Sequence, residues 1–410
     1  MRQASTSWNY PLRAFFICLA GATLANMDQA LFGFVLTPLM EEFGWSIVER
    51  GWYLAITFSI AGVTIVGLGT LADRLGRKAV FQGSILVSSL LVTALRWAPG
   101  TVSLLVLRTL GFASGGIQSP VTGTIVVEES PPRWRGLLSG VLQIGYPLGW
   151  FLASLLAAPI IVRFGWRTVF LVGLLSIPYM FVVGRFLRET KAFESNREEN
   201  RKAGSESSAA KVRELFSARY RLRTVALFFG ELLHVFAYGA TILLTSYFVE
   251  GRGWELADAI RLVGKTYLIG SFGYILAAVV GELYLTRRTV IIIWSWMGSL
   301  FFALLVWGPR GSGQVLLFYS LMTIFFYGTT AVKFTFIAEN FPSRLRATGV
   351  TLAGSLAVNL GIAFGPLALS YCIEPLGWEW AYTLCGILPI FLSSFFFLLL
   401  RPIRRGEEIG

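Results

Sequence analysis

The chain has 410 residues, of which 55% are hydrophobic and 15% aromatic, while only 14% carry a charge. Soluble domains carry roughly 25% charged residues, so this composition excludes an ordinary soluble domain and indicates a polytopic membrane protein. The net charge of +12 would suit a nucleic-acid-binding protein, but most of the 35 Lys and Arg residues fall between apolar runs, where they orient a membrane protein. We therefore expect lipid headgroups, and no nucleic acid, as partners.

Twelve apolar runs, each about long enough to cross a bilayer as a helix, follow one another along the chain. The runs cover residues 12–38, 52–71, 79–97, 101–127, 137–161, 167–187, 223–248, 262–284, 289–307, 314–338, 347–373 and 380–400. They predict an all-α integral membrane protein with 12 transmembrane helices. An even number of spans puts both termini on the same side of the membrane. We expect that side to be the cytoplasm, and the membrane to be the plasma (inner) membrane of the cell.

The first run contains an acidic residue, Asp28, midway along its length between Asn26 and Gln29. An ionisable side chain inside a span costs about 2.5–3.5 kcal/mol or more, so its presence indicates a function. Buried aspartates form the proton relays of many transporters, and we interpret Asp28 as a proton-coupling residue. The alternative is a polar side chain that a neighbouring helix satisfies.

A charged turn, GTLADRLGRK, joins the second and third runs at residues 69–78. The turn holds three cations, Arg74, Arg77 and Lys78. These cations place the turn on the cytoplasmic side by the positive-inside rule. Gly69 and Gly76 permit a tight turn, and Asp73 can accept hydrogen bonds from a helix N-terminus or an arginine.

The pattern of this turn, Gly-x-x-x-Asp-Arg-x-Gly-Arg-Lys, resembles the signature loop between the second and third helices of the major facilitator superfamily. The resemblance implies the major facilitator fold, in which two six-helix bundles enclose a substrate site near the membrane midplane. It also implies that the chain transports a small molecule.

The fourth run contains a basic residue, Arg108. A guanidinium stays charged, so it needs an anionic partner, either a carboxylate such as Asp28 or the substrate itself. The position resembles that of an arginine in the proton-coupled members of the superfamily, which implies a role in coupling and in substrate binding. The alternative is that Arg108 snorkels to the nearby outer face.

Residues 188–222 are rich in charged and polar side chains, which predicts a cytoplasmic linker with an amphipathic helix around 209–216. The linker separates two predicted six-helix bundles, residues 1–187 and 223–410.

The two bundles repeat each other in sequence. The motif Glu-x-x-Pro-x-Arg-x-Arg begins at Glu128 and returns at Glu339, a shift of 211 residues. Gly165, which precedes a tryptophan, returns as Gly377 before another tryptophan, a shift of 212. The common spacing predicts two structurally related halves.

Three more ionisable residues inside the runs of the second half are candidates for function. Glu231 and His234 are three apart on the seventh run and share a helix face with Tyr238. Histidine is the residue type that titrates near neutral pH, so we consider this pair for proton coupling, with a structural hydrogen bond as the alternative. Lys333, in the tenth run, either contacts an anionic substrate, snorkels, or pairs with Glu339.

In the superfamily, charged clusters latch the two halves together on the cytoplasmic side and part when the cavity opens inward. The resemblance implies a latch built from Gly69, Asp73, Arg74, Gly76, Arg77, Glu128, Arg133, Glu339, Arg344 and Arg346. We expect Asp73, Arg77 and Glu128 to form one cluster, and the last three residues of this set to form its copy. The alternative is a solvated loop that only sets topology.

Within the superfamily, three stretches resemble the metabolite:proton symporters for organic anions, which include sialic acid, aromatic acid and monocarboxylate carriers. They are residues 26–38, 139–143 and 339–349, the last followed by Asn359. The resemblance implies proton-coupled import of a small carboxylate by alternating access, with Arg108 and Lys333 binding the substrate. The other side chains expected to shape the pocket are Gln118, Gln143, Tyr146, Trp150, Tyr238 and Asn359.

Three other functions compete with this one. A sugar or drug carrier of the same fold needs no cation in its pocket. A transporter-like membrane sensor would need a signalling partner, since the sequence offers no attached signalling domain. An enzyme is disfavoured because the chain has a single histidine and no paired metal ligands, and we expect no cofactor and no metal. We expect a monomer, because the small residues of Gly361-x-x-x-Gly365 suit packing inside the bundle.

Overall fold

The computed structural model describes residues 9–131, 134–190 and 208–403, and within these ranges the side chains of residues 66–74, 208–211, 343 and 347 are left undescribed. Helices account for nearly all of the described backbone, which contains no strand. A helix satisfies its own backbone hydrogen bonds, as a chain in lipid must.

The first half consists of nine α-helices, with a 3₁₀ segment, Trp166–Ser176, before the last of them. In chain order they are Asn9–Phe34 (α1), Leu36–Phe43 (α2), Ile47–Leu75 (α3), Arg77–Ala94 (α4), Thr101–Gly116 (α5), Gln118–Glu129 (α6), Arg135–Leu142 (α7), Gly145–Phe164 (α8) and Ile177–Phe186 (α9).

The second half follows a short linker helix, Ser208–Leu215 (α10), which confirms the helix expected in the linker. Its longer α-helices are Arg221–Ala240 (α11), Leu256–Leu283 (α12), Arg287–Trp307 (α13), Ser312–Phe326 (α14), Thr330–Glu339 (α15), Ser343–Val350 (α16), Ala357–Tyr382 (α17) and Leu388–Leu398 (α18). Helix α10 packs on this half, since the Thr224 hydroxyl donates to the Leu215 carbonyl at 2.9 Å.

Nine helical stretches in the described ranges are long and apolar enough to cross a membrane. One of them, Arg344–Leu398, runs for 55 residues and is interrupted at Gly377, whose φ of 76° is not helical. The count of twelve spans stays a prediction.

The predicted repeat is visible in the backbone. Gly165 and Gly377 both adopt left-handed φ values, 78° and 76°, at the turn before a tryptophan. L-residues with a side chain rarely adopt this conformation, so glycine is required at both corners. The same sequence landmark therefore makes the same turn in each half.

The charged turn is shorter than predicted. Helix α3 continues through Leu75 and α4 begins at Arg77, so most of residues 69–78 is helical and only Gly76, with φ 103°, makes the turn. The Glu189 carboxylate accepts the backbone N–H groups of Arg77 and Lys78 at 2.9 and 3.2 Å, which caps the start of α4.

The two halves meet along two pairs of helices. Helix α3 packs on α17, where a Cβ at Gly51 would lie 2.8 Å from the Ser370 side chain. Helix α8 packs on α12, where a Cβ at Gly264 would overlap Ser154. We call the end of the bundle that carries Gly76, Glu128 and Glu339 the basic end, and the other, which carries Arg50 and Glu250, the opposite end.

Packing inside the second half predicts a strong effect at Gly365. A Cβ there would overlap the backbone oxygen of Phe236 on α11, so Gly365→Ala should lower the midpoint of thermal unfolding in detergent by at least about 3 °C. Gly83 on α4 is the matched control, because a Cβ there meets no atom within 4 Å. Gly83→Ala should leave the midpoint unchanged or raise it, and equal midpoints for the two variants would contradict the packing.

Candidate functional site: a cavity with a buried arginine

A small cavity of about 50 Å³ lies between the two halves. Its walls are mostly aromatic and aliphatic, with few polar groups. The lining residues are Gln29, Phe32, Gly33, Leu36, Leu54, Phe58, Arg108, Phe112, Tyr146, Trp150, Tyr238, Ile242 and Ile362. The lining residues of the first span lie in the last turns of α1 and just beyond the end of that helix. The cavity therefore lies toward the opposite end of the bundle.

Arg108 supplies the only positive charge in the lining of this cavity. Its side chain on α5 is 4% exposed, and Nη2 donates to the backbone oxygen of Gln29 at 3.2 Å. The guanidinium lies over the rings of Phe32 and Phe112, 4.6 and 5.3 Å from their centroids. The snorkelling alternative is therefore wrong, because the charge points into the bundle.

The positive charge of Arg108 has no acidic partner within 4 Å in the part of the chain that the structure describes. Its Nε has no hydrogen-bond partner, and neither does the hydroxyl of Tyr53, whose ring stacks on Phe32 at 5.5 Å. A buried charge without a partner is costly, so this arrangement suits an anion that arrives from outside the protein.

Asp28 lies behind the cavity wall. It is 3% exposed, and its two carboxylate oxygens accept hydrogen bonds from the hydroxyls of Ser89 and Ser176, each at 3.3 Å. The direct pair with Arg108 that the sequence suggested is wrong. The two groups interact only through space, because Asp28 faces α4 and the 3₁₀ segment while Arg108 faces the cavity.

Tyrosines from both halves form the aromatic part of the site. Tyr146, Trp150 and Tyr238, predicted as pocket residues, all line the cavity. Two further residues extend the cluster: Tyr267 stacks on Trp150 at 4.9 Å, and Tyr327 packs on Tyr238 at 5.1 Å. Sequence reasoning missed both, since aromatic residues are frequent in every span and only the fold brings these together.

Lys333 pairs with Glu231 inside the second half. Its Nζ lies 3.0 Å from Oε2 of Glu231 and donates to Oε1 at 3.1 Å, and both side chains are almost fully buried. The suggested pairing of Lys333 with Glu339 is wrong. His234 shares a 2.9 Å hydrogen bond with the Thr329 hydroxyl and packs on Phe326. None of these residues lines the cavity.

At the basic end, the first half contains the expected pair of Arg77 and Glu128, with Nη2 and Oε1 3.2 Å apart. The side chains of Asp73 and Arg74, together with Arg133, fall outside the described part of the chain. Gly69 lies within helix α3 rather than in a turn.

The second half contains a similar pair, but its members differ from those expected. Glu339 accepts from Arg287 at 2.6 Å, and Arg287 also binds Glu282. Arg344 binds Glu214 of the linker helix, while Arg346 donates to the backbone oxygen of Ala338 at 3.1 Å. Arg287, at the start of α13, thus takes the direct ion pair with Glu339, while Arg346 interacts with Glu339 only through space and Arg344 binds elsewhere.

At the opposite end, an ion pair joins the two halves. Arg50, which is 0% exposed, donates to Glu250 at 2.7 Å, and the Thr37 hydroxyl donates to the same oxygen at 2.9 Å. Trp52 and Tyr371 add a second contact between halves, a hydrogen bond of 3.0 Å. The sequence analysis did not select Arg50 and Glu250, because both flank apolar runs. The signal that could have found Arg50 is its positive charge on the predicted outer side, where cations are less common.

The sequence itself matches a known family model. Residues 18–355 match the model of the Major Facilitator Superfamily. The chain belongs to the major facilitator superfamily. It is therefore a multi-pass membrane transporter rather than an enzyme.

Two of the proteins to which the sequence is similar are named for niacin and for cis,cis-muconate. The niacin transporter NiaP of Acinetobacter baylyi is 28% identical over 84% of this chain and 83% of its own. The cis,cis-muconate transport protein of the same organism is 27% identical over 95% of both chains. In structure, this transporter resembles a D-xylose-proton symporter with a TM-score of 0.76, at 14% identity and with 98% and 100% of the chains covered.

Three predicted pocket residues of this transporter lie outside the cavity lining. Gln118 donates to the Ser88 hydroxyl at 3.4 Å, facing α4. Gln143 lies at the break between α7 and α8. Asn359 packs against Gly62, where a Cβ would lie 2.7 Å from its amide oxygen, and so belongs to the contact between halves.

The ion pair at the opposite end predicts a difference between single and double variants. Glu250→Gln leaves the buried Arg50 without a counterion, and breaking a buried pair in this way costs about 3–5 kcal/mol. The midpoint of thermal unfolding should therefore fall more for Glu250→Gln than for Arg50→Met combined with Glu250→Gln. A double variant at least as unstable as the single one would show that the charge pairing does not hold the halves together.

Proposed function

We propose that this transporter imports a small carboxylate together with a proton by alternating access. The observation that carries the proposal is Arg108, a buried cation that lines the cavity between the halves and lacks an acidic partner in the described residues. A substrate carboxylate would supply that partner. A sugar carrier, the main alternative, has no need of an unpaired cation at this place.

The walls of the cavity favour a substrate with a flat, apolar body. Phe32 and Phe112 lie under the guanidinium, and Tyr146, Trp150 and Tyr238 form the facing wall. Aromatic pairs gain about 0.5–1.5 kcal/mol beyond the area that they bury, so an aromatic acid would fit this pocket best. The relatives named for niacin and muconate support a carboxylate substrate, and niacin is the aromatic one of the two.

Asp28 is the residue that we assign to the proton. It is the one buried acid of the described first half, and two serine hydroxyls are its hydrogen-bond partners. While the cavity is empty, an unprotonated Asp28 balances the charge of Arg108 through space. When a carboxylate binds Arg108, Asp28 must take up a proton if the region is to stay neutral.

This balance implies one proton for each carboxylate and no net movement of charge. The other buried cations of the described residues, Arg50 and Lys333, already have acidic partners. Moving an unbalanced charge through the membrane would be penalised by desolvation, and its rate would depend on the membrane potential. Symport of one proton with one carboxylate avoids both effects.

Two sets of contacts would alternate as the transporter works. The Arg50–Glu250 pair closes the opposite end, while at the basic end Gly136 of the first half lies against the Glu282 side chain of the second. We place the basic end and both termini in the cytoplasm of the inner membrane, and treat the transporter as a monomer. Separation of Arg50 from Glu250 would then open the cavity to the outside.

The role of Arg108 can be tested by binding. Arg108→Gln should weaken binding of nicotinate or benzoate to the purified transporter by at least about tenfold, because a charge-assisted hydrogen bond is lost. Calorimetry with nicotinate and its uncharged amide, nicotinamide, measures the effect, and the amide should bind weakly to parent and variant alike. Arg96→Gln is the matched control, since Arg96 binds Thr168 away from the cavity. Unchanged nicotinate affinity in Arg108→Gln would remove Arg108 from the substrate site, and the case against a sugar or drug carrier would lose its main support.

The role of Asp28 can be tested by transport. In proteoliposomes with an alkaline interior, the parent should accumulate labelled carboxylate, and a potential imposed with valinomycin should not alter that accumulation. Asp28→Asn should lose accumulation but retain exchange of labelled for unlabelled substrate, because a neutral amide mimics the protonated acid permanently.

The control for this experiment is Asp258→Asn, since Asp258 forms an exposed pair with Arg261. Accumulation by Asp28→Asn at the parental level would remove Asp28 from the coupling mechanism. Accumulation driven by the imposed potential would contradict the charge balance.

A further inference from the structure

In the described part of the chain, the buried lysine and arginine residues are of two kinds: those that pair with a carboxylate and one that does not. The acidic and basic side chains, histidine included, that are buried in the described part of the chain are Asp28, Arg50, Arg108, Glu231, His234 and Lys333. Arg50 and Lys333 are each within 3.0 Å of a carboxylate oxygen. Arg108 therefore remains as the single buried cation that a substrate can neutralise.

The Glu231–Lys333 pair lies behind the lining of the cavity, on the side of the basic end. Glu231 precedes Tyr238, a lining residue, by two turns of α11. Lys333 follows the segment that contains Tyr327, which packs on Tyr238 at 5.1 Å. A layer of tyrosine thus separates this pair from the space where a substrate would bind.

Without Glu231, Lys333 would be a second cation beside the cavity, in the half that faces Arg108. The second carboxylate of a dicarboxylate substrate would then have a cation behind the tyrosines that balances its charge through space. With Glu231 present, the charge of Lys333 is cancelled, and a second carboxylate would enter a low-dielectric site without a counterion. The desolvation of that group would not be compensated.

We propose that Glu231, by neutralising Lys333, restricts the cavity to substrates that carry a single carboxylate group. Glu231 is then a specificity-determining residue that acts through Lys333 and does not itself touch the substrate. This inference rests on the proposed function, because it assumes that Arg108 binds a carboxylate in the cavity.

The first experiment compares three ligands of the unaltered transporter by calorimetry: benzoate, terephthalate and 4-carbamoylbenzoate. The last two have nearly the same size, but 4-carbamoylbenzoate carries one carboxylate and terephthalate two. We expect 4-carbamoylbenzoate to bind at least about tenfold more tightly than terephthalate. Equal affinities would overturn the proposal and leave the proposed function standing, whereas a failure of all three to bind would count against the proposed function itself.

The second experiment tests whether Glu231 causes the discrimination. Glu231→Gln should reduce the preference for 4-carbamoylbenzoate over terephthalate at least about threefold, because Lys333 then carries an uncancelled charge. The double variant Glu231→Gln with Lys333→Gln removes both charges and should restore the parental preference. If Glu231 had only a structural role, each variant would weaken the binding of both ligands by the same factor. The ratio of the two affinities would then be unchanged in every variant, which would overturn the proposal.

A variant that keeps an acid at position 231 guards against misfolding of Glu231→Gln. Glu231→Asp shortens the side chain by one methylene and lengthens the contact with Lys333. It should shift the preference in the same direction by a smaller factor, and an unchanged preference in a folded Glu231→Asp sample would also contradict the proposal.

Discussion

The cost of an unpaired charge in a medium without water governs the interior of this transporter. A lone ion moved from water into a low-dielectric interior loses far more solvation energy than ordinary packing returns. For Arg50 and Lys333, a glutamate oxygen at 2.7 and 3.0 Å from the charged nitrogen offsets this loss of solvation. The protein leaves Arg108 with a backbone carbonyl and two aromatic faces, which soften the cost without neutralising the charge.

The two halves share a backbone plan but divide the chemistry between them. Gly165 and Gly377 make the same left-handed turn, and each half has an arginine–glutamate pair at the basic end. The first half holds the unpaired arginine and the serine-bound Asp28, whereas the second half holds a neutral ion pair beneath tyrosines. The cavity between the halves is lined by the arginine of the first half and by aromatic residues of both halves.

Contacts between the halves show how the cavity is enclosed. Glycines at the α3–α17 and α8–α12 crossings let the backbones approach, so side chains such as Ser370 and Ser154 fill the space that a Cβ would occupy. The Arg50–Glu250 pair adds a directional contact at the opposite end. Small residues thus let the helices of the two halves approach closely around the cavity.

The sequence alone determined the class of protein and several of the charged residues that its apolar runs bury. Apolar runs of span length, the charged turn and the internal repeat predicted the fold, because each reflects a local requirement of a helix in lipid. Asp28, Arg108, Glu231 and Lys333 could be found individually, since charges are rare and costly in such runs. Their partners could not be found, because a pairing depends on how each helix is rotated and tilted against its neighbours.

Only the tertiary structure decided that Asp28 binds serines, that Lys333 binds Glu231 and that Glu339 binds Arg287. It also brought Arg50 to Glu250, 200 residues away in sequence, across the contact between the halves. The sequence shows which side chains cost free energy to bury. The distance between two such side chains depends on how the whole bundle packs.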